Sequence, residues 1–199
     1  MNDAPARPES RLPAVLLIVT GALGLLASLV LSIDKVQQLQ DKIAGKESVF
    51  ACDFSAWVSC SNVMSSPQSE AFGFPNSFIG VIGFAVVLTL GVVWLPGEQV
   101  KGWIWGGLQA GTVFGIAFVT WLQVQSIYEI GALCPYCMVV WAVMIPLFVG
   151  VTRHSLRLVA PEAGITRLVS NWNVLIVALW YVAVVAAIWF EFGTRVLAS

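Results

Sequence analysis

Five long stretches without a charged residue dominate this sequence, running over residues 12–33, 71–97, 102–128, 130–152 and 168–190. Each is at least as long as the roughly 20 apolar residues that a helix needs to cross a ~30 Å hydrocarbon core. They predict transmembrane helices at about 12–33, 76–96, 103–125, 134–152 and 171–190, with one sizeable loop at about 34–75. We therefore expect an all-α integral membrane protein with one membrane domain.

The composition excludes several other classes of protein. Only 11% of the 199 residues are charged and 58% are hydrophobic, whereas soluble domains carry about 25% charged residues. Ten Lys and Arg residues balance eleven Asp and Glu residues, so the chain has no basic field with which to attract nucleic acid. Membrane lipid is the expected surrounding, and no nucleic-acid partner is expected.

The positive charges predict the orientation. In a five-crossing arrangement one side holds Arg7, Arg11, Lys101, Arg153, Arg157 and Arg167, and the other holds Lys35, Lys42, Lys46 and Arg195. We expect Arg153, Arg157 and Arg167 to share the short loop between the fourth and fifth crossings, where the positive-inside rule carries most weight. The amino terminus is then cytoplasmic, and the carboxyl terminus and the long loop are outside. The first stretch is longer than the apolar core of a signal peptide, so we expect it to stay as an anchor.

The long outer loop is expected to form a compact lid with short helical segments. Apolar residues near helical spacing predict that the first helix extends to about residue 44, where Gly45 ends it. Ser66 followed by Pro67 is typical of a helix start, so we predict a short helix over about 67–71. A non-helical loop is expected at 126–133, between the third and fourth crossings.

The most specific motif is Cys134-Pro135-Tyr136-Cys137 at the start of the fourth crossing. Pro135 suits the first helical position, which puts Cys134 near the N-cap, where free N–H groups and the helix dipole stabilise a thiolate. A thiolate is the species that attacks a disulfide. Cys137 lies one turn deeper, about 4.5 Å along the axis, and faces the hydrocarbon where a lipid-soluble acceptor such as a quinone resides. Buried cysteines acting only as small hydrophobes are the alternative.

Cys52 and Cys60 form a second pair, in the outer loop. All four cysteines are on the outer side, where disulfides persist. The loop pair could be a structural staple, or it could exchange electrons with the first pair. A zinc site made of all four cysteines is a third possibility. However, seven residues separate Cys52 from Cys60, whereas structural zinc ligands are usually separated by two to four. Asp53 next to Cys52 would raise the pKa of a thiol or shape partner docking, and the sequence does not choose between them.

These residues resemble the vitamin K epoxide reductase family, in the form of its bacterial homologues that support disulfide formation. The resemblance covers about residues 12–155 and rests on Cys52, Cys60, Ser66, the segment 73–80 (Gly-Phe-Pro-Asn-Ser-Phe-Ile-Gly) and Cys134-Pro135-Tyr136-Cys137. It implies a four-helix bundle around a quinone, with the lid above it and a fifth helix beside it. The loop pair precedes the C-x-x-C pair in the chain, opposite to the order in the membrane disulfide oxidase DsbB.

The resemblance also implies roles for individual residues. Cys137 would donate electrons to the quinone, Cys134 would receive them from Cys60, and Cys52 would form the mixed disulfide with a reduced partner. Asn76 would donate a hydrogen bond to the quinone, with Ser66, Phe78 and Trp141 nearby; Ser66 and Asn76 could instead serve as helix caps. Menaquinone is the favoured quinone. We expect a stand-alone form without a fused thioredoxin-like domain. The partner would then be a separate periplasmic, DsbA-like thioredoxin-fold protein in a bacterial plasma membrane system.

Other functions remain open from the sequence. The same cysteines could reduce vitamin K epoxide or quinone as the main physiological reaction, since that chemistry is also driven by thiols. A non-enzymatic scaffold stapled by disulfides belongs to a different class of protein. A transporter is disfavoured because the predicted crossings carry no ionisable residue.

Overall fold

The computed structural model describes residues 11–193 except 47, 49, 56 and 97–100. Two charges used above to predict the orientation, Arg7 and Arg195, lie outside the described residues. The helices are α1 (Arg11–Ile43), α2 (Cys60–Ser65), a 3-10 helix (Pro67–Glu70), α3 (Asn76–Trp94), α4 (Gly102–Val124), a π-helical turn (Gln125–Ile130), α5 (Pro135–Val159), α6 (Gly164–Ile188) and a second π-helical turn (Trp189–Gly193).

Five of these helices, α1, α3, α4, α5 and α6, are long and apolar enough to cross a membrane. This confirms the predicted all-α fold with five crossings, and the chain is a multi-pass membrane protein. Large apolar side chains on the outer faces, such as Leu26, Ile82 and Val174, are more than half exposed, as expected of surfaces that contact lipid.

Helices α1, α3, α4 and α5 form a bundle, with α1 packed between α3 and α5 and α4 packed on α5. Two glycines let α1 and α3 approach closely. A Cβ added to Gly21 would lie 2.7 Å from the backbone nitrogen of Leu88, and one added to Gly91 would lie 2.9 Å from that of Ile18. Such small residues bring helix backbones together in membranes, where van der Waals packing drives association.

Helix α6 lies outside the bundle against α5. Phe148 and Trp180 meet edge to face with ring centroids 6.5 Å apart, and the Tyr181 hydroxyl donates a hydrogen bond to the carbonyl of Ala142. Along the apolar window of this helix no residue is buried. The four-helix bundle with a fifth helix beside it is thus present.

The ends of the last two crossings that carry Arg153, Arg157 and Arg167 differ from the prediction. Arg153 and Arg157 lie within α5 and Arg167 lies within α6, so the loop between the two helices is only residues 160–163. The apolar stretches mark the membrane-embedded part, but the helical hydrogen bonds continue into the polar residues beyond it. The predicted loop at 126–133 was also wrong in part, because residues 125–130 extend α4 as a π-helical turn that ends at Gly131, with φ of 67°.

The lid follows the prediction at both ends and departs from it in the middle. Helix α1 continues to Ile43 and Gly45 turns the chain with φ of 68°. The predicted helix at 67–71 is a 3-10 helix over Pro67–Glu70, and the unpredicted α2 precedes it. Ser66 is the N-cap residue, but its side chain does not cap; its hydroxyl donates instead to the carbonyl of Val63 at 2.7 Å.

Candidate redox site

The four cysteines come together where the lid meets α5. Cys52 and Cys60 form a disulfide, while Cys134 and Cys137 are thiols. The Sγ of Cys60 lies 3.3 Å from the Sγ of Cys134. Cys60 and Cys134 are fully buried and Cys52 is 3% exposed, in an apolar cluster with Leu31 and Met64. Only a small further approach would bring the two sulfurs to bonding distance.

A short backbone pairing sets this contact. Val58 and Leu133 form an isolated parallel β-bridge. The N–H of Leu133 donates to the carbonyl of Trp57 at 2.8 Å, and the N–H of Ser59 donates to the carbonyl of Leu133 at 3.1 Å. Because Ser59 and Leu133 directly precede Cys60 and Cys134, this register places the two thiol-bearing residues side by side.

The carboxylate of Asp53 holds the loop pair from within. Its Oδ1 accepts hydrogen bonds from the Ser59 hydroxyl at 2.8 Å and from the N–H of Ser61 at 3.1 Å. Its Oδ2 accepts from the N–H of Phe50 at 3.1 Å and from the Ser61 hydroxyl. Burial opposes the charge, but the hydrogen bonds from Ser61, Phe50 and Ser59 outweigh it and lower the pKa of Asp53 to about 2. The donors flank both cysteines, so Asp53 ties the two ends of the loop together.

Cys134 is held at the start of a helix, as the motif predicts. It is the N-cap residue of α5 and Pro135 takes the first helical position. A hydrogen bond from the Cys137 thiol, together with the backbone N–H groups of Cys137 and Tyr136, lowers the pKa of the Cys134 thiol despite its burial. A thiol with a lowered pKa at a helix N-terminus is a reactive one.

Below the cysteines, the bundle encloses an apolar cavity of about 600 Å³ with walls from α1, α3, α4 and α5. Cys137 and Trp141 of α5 lie on its wall, and Trp141 is buried. Gly83, Gly107 and Gly111 also line it, and a Cβ on any of them would meet no atom within 4 Å. The volume is within the 300–1,000 Å³ typical of sites for small ligands, and its apolar walls fit a lipid-soluble ring.

The lid residues Met64–Ala71, which we call the roof, close the outer end of this cavity. Lys35 of α1 is buried, and its ammonium donates to the carbonyl of Met64 at 2.5 Å and to Ser69 Oγ at 3.3 Å. It also forms an ion pair with Glu70 at 2.9 Å. The hydrogen bond and the positive charge of Lys35 lower the pKa of Glu70. A buried ammonium thus fastens the roof to α1.

Asn76 fastens the roof from the opposite side. Its Nδ2 donates to the carbonyl of Gln68 at 2.7 Å and its Oδ1 accepts from the N–H of Ala71 at 3.1 Å. The N-cap of α3 is Pro75, so Asn76 is not the cap of that helix. Asn76 and Ser66 both line the cavity. The Nδ2 group of Asn76 carries two hydrogens and the bond to Gln68 uses one of them, so the second can donate to a ligand.

Of the expected site residues, the structure brings together Cys52, Cys60, Cys134 and Cys137, and places Ser66, Asn76 and Trp141 on the cavity wall. Phe78 is 37% exposed and does not belong to the described cavity lining. Its neighbours Ser77 and Ile79 do line the cavity. The expected contact of Phe78 with a quinone therefore stays a prediction.

Sequence reasoning missed the parts played by Lys35 and Asp53. Lys35 was expected only as an outer positive charge, and Asp53 as a group that raises a thiol pKa or contacts a partner. A signal for Lys35 was available, because Lys35 and Gln38 are three residues apart on the predicted helical extension and so share a face. Gln38 does contact the same lid, through the Ser65 hydroxyl at 2.9 Å.

Comparison with known proteins agrees with this architecture. A search of curated proteins gave no match. A sequence profile of the Vitamin K epoxide reductase family matches residues 15–152, more than two thirds of the chain, from the first helix through the C-x-x-C pair and most of α5. The chain belongs to the vitamin K epoxide reductase family.

Proposed function

We propose that this protein is a quinone-dependent thiol-disulfide oxidoreductase that reoxidises a separate, DsbA-like thioredoxin-fold protein and so supports disulfide formation. Family membership supports the general activity, an oxidoreductase that links disulfides to quinone or vitamin K. The proposal adds the direction of electron flow, the path through Cys52 and Cys60 to Cys134 and Cys137, and menaquinone as the favoured acceptor.

The contact between Cys60 and Cys134 is the observation that carries this proposal. Their sulfurs are 3.3 Å apart, and one turn along α5 Cys137 lines the apolar cavity. A structural staple needs neither a second pair beside it nor a cavity below it. The arrangement forms a continuous series from a lid disulfide to a space that fits a lipid-soluble acceptor.

The chemistry divides into three balanced exchanges. A partner thiolate attacks Cys52 and releases Cys60 as a thiolate, and the partner's second thiol then closes its own disulfide. Cys60 attacks Cys134 of a Cys134–Cys137 disulfide, and Cys52 attacks Cys60 to restore the lid disulfide, leaving two thiols at 134 and 137. These two thiols give two electrons and two protons to the quinone and close their disulfide. In this scheme, a protein with the lid pair bonded and the helix pair reduced is the state before the last exchange.

Several residues on the cavity wall would bind the quinone or pass electrons to it. Cys137 is the thiol that reaches it. The lowered pKa of Cys134 makes Cys134 a good leaving group when Cys52 attacks Cys60 of the mixed disulfide between Cys60 and Cys134. Asn76 and Ser66 supply polar groups at the outer end of the cavity, and Trp141 supplies an apolar face with an N–H donor. Lys35 also lines the cavity, and its positive charge favours the negative charge that develops there as electrons arrive.

The first exchange requires the lid to open. Cys52 is only 3% exposed, so a partner thiolate reaches its sulfur only after the apolar residues over it, including Phe50, move aside. Phe54, within the loop that the disulfide closes, is 74% exposed and is available for contact with the partner. Orientation with the lid outside, in a bacterial plasma membrane, is supported by Arg153, Arg157 and Arg167 at the opposite ends of α5 and α6.

The test uses the purified protein in detergent with a reduced thioredoxin-fold protein and a naphthoquinone substituted at both quinone-ring carbons, which leaves no unsubstituted position for a thiol to add. Quinone absorbance is followed for the wild type, for Cys137→Ala and for Met138→Ala, a neighbour that is 38% exposed. We expect turnover with the wild type and with Met138→Ala and none with Cys137→Ala. Turnover by Cys137→Ala would contradict the proposed path.

Two further substrates separate the alternatives. If the folded wild type reduces vitamin K epoxide but neither naphthoquinone nor ubiquinone, epoxide reduction replaces the proposed reaction. If it leaves all three unchanged, the disulfide-stapled scaffold becomes the better account.

A further inference from the structure

The outer end of the fifth helix reaches the redox site, although it lies beyond the segment 15–152 that matches the family. Of the described residues 164–193, the buried ones are Thr166 near the inner end and Phe192 in the terminal π-helical turn. Phe192 is 8% exposed, whereas Trp189 and Phe190 of the same turn are about 70% exposed. The helix is therefore buried only at its two ends, and between them it packs on α5 through partly exposed side chains such as Trp180 and Tyr181.

Phe192 packs against the segment that joins the two cysteine pairs. Its ring meets Trp57 edge to face, with centroids 6.1 Å apart and planes at 81°. It also belongs to the same buried cluster as Ile127 and Leu133. The carbonyl of Trp57 accepts the N–H of Leu133 at 2.8 Å. Phe192 thus contacts one side of the two-stranded pairing whose register sets the distance between Cys60 and Cys134.

We propose that Phe192 is a positioning residue for electron transfer between the two cysteine pairs, with the fifth helix serving as a buttress for the disulfide loop. When the disulfide between Cys52 and Cys60 opens, the loop loses its covalent closure. The contact of Phe192 with Trp57 then keeps Val58 paired with Leu133, and Cys60 stays beside Cys134. This inference rests on the proposed path from Cys60 to Cys134.

The experiment measures how well the protein holds this one pair of thiols together. In a Cys52→Ser/Cys137→Ser background only Cys60 and Cys134 remain, and oxidised glutathione converts them to a disulfide with release of two reduced glutathione molecules. Equilibration in glutathione buffers of graded ratio, with the product identified by mass spectrometry, gives the effective concentration of the two thiols. Phe192→Ala, Phe192→Leu and the control Trp189→Ala are compared in this background.

We expect Phe192→Ala to lower the effective concentration about tenfold, in line with the loss of an edge-to-face ring pair and its buried area. Phe192→Leu keeps most of the buried apolar volume, so its effective concentration is expected to lie between those of Phe192→Ala and the parent. The effective concentration of Trp189→Ala is expected to stay within about twofold of the parent value. Quinone binding is expected to be unchanged in the Phe192 variants that retain Cys137.

The inference would be overturned if Phe192→Ala and Trp189→Ala gave the same effective concentration of the two thiols, in protein with an unchanged thermal transition. If Phe192→Ala fails to fold, the effective concentration of Phe192→Leu decides the test. A Phe192→Leu value equal to that of the parent would then overturn the inference. A background protein that forms no disulfide between Cys60 and Cys134 in any buffer would defeat the proposed path itself. If the background protein forms this disulfide and only the Phe192 variants show a lowered effective concentration, the result supports both the proposed path and the role of Phe192.

Discussion

The two cysteine pairs are held in place by different means. Cys134 and Cys137 lie on the first turn of α5, so the backbone of one helix fixes their spacing. Cys52 and Cys60 lie in the lid, where contacts between separate segments hold them. These are chiefly the four hydrogen bonds that the Asp53 carboxylate accepts and the backbone pairing of Val58 with Leu133. The helix pair is thus rigid beside the cavity, while the loop pair depends on contacts that can be opened one by one.

This difference suits the two proposed tasks. A thiol that delivers electrons to a quinone must meet the ring in a fixed geometry, which a helix start provides. A disulfide that meets a large protein must become accessible and then return, and a loop closed by hydrogen bonds can do both. The predictions below remove one means of support at a time.

The largest expected effect comes from removing the loop pair alone. Cys52→Ser/Cys60→Ser is expected to abolish quinone reduction by the reduced thioredoxin-fold protein, because no thiol remains to pass electrons to Cys134. Reduction driven by dithiothreitol is expected to continue, because Cys134 and Cys137 remain beside the cavity. Both rates are measured by quinone absorbance on one preparation. Retained turnover with the protein donor would show that the two pairs do not act in series.

A smaller effect is expected from loosening the loop pair while leaving its thiols. Asp53→Ala removes the acceptor of four hydrogen bonds, and a charged hydrogen bond is worth about 1.5–3 kcal/mol. We expect protein-driven turnover to fall about tenfold or more, with Asp53→Asn intermediate because its amide oxygen still accepts. The quinone KM with dithiothreitol as donor should not move. A change in that KM would mean that Asp53 also shapes the cavity.

On the cavity side, Asn76→Ala is expected to raise the quinone KM about fivefold, from the loss of about one hydrogen bond and of the roof contacts to Gln68 and Ala71. Thr89→Ala is the control in the same helix, since the Thr89 hydroxyl bonds only its own helix, at the carbonyl of Ala85. Disulfide formation between Cys60 and Cys134 should be unaffected in both variants. A KM for Asn76→Ala equal to that of the control would exclude Asn76 from the quinone site.

The smallest expected effect is a pH dependence of the stability that the ion pair between Lys35 and Glu70 adds at the roof. Lys35 lowers the pKa of Glu70 in the folded protein, so the ion pair stabilises the fold above the ordinary glutamate pKa of about 4.3. That contribution is lost as the pH falls through the lowered pKa. Thermal transitions of the wild type and Glu70→Gln should therefore differ at pH 7 and converge at low pH. A constant difference over this range would show that the ion pair adds nothing.

The helix pair and the bundle could be predicted from sequence because both depend on local patterns. Apolar length specifies a crossing, and Cys134-Pro135-Tyr136-Cys137 specifies two thiols on one turn. The lid could not be predicted in the same detail, because Lys35 and Glu70 are 35 residues apart and Cys60 and Cys134 are 74 apart. Their meeting depends on how α1, α5 and the lid pack.

One error has a local physical reason. Residues 126–133 were assigned to a loop, but the backbone continues from α4 through a π-helical turn over Gln125–Ile130 that ends at Gly131. Composition does not reveal such a widened turn.

The most direct test of the account is the order in which a quinone oxidises the fully reduced protein. The wild type is reduced, freed of reductant, mixed with one equivalent of a naphthoquinone substituted at both quinone-ring carbons and quenched by alkylation at intervals, and the disulfides are mapped by mass spectrometry. The account predicts that the disulfide between Cys134 and Cys137 forms first, and that the disulfide between Cys52 and Cys60 follows only when Cys134 is present. Formation of the lid disulfide at the wild-type rate in Cys134→Ser would contradict the proposed path, because the loop pair would then react with quinone on its own.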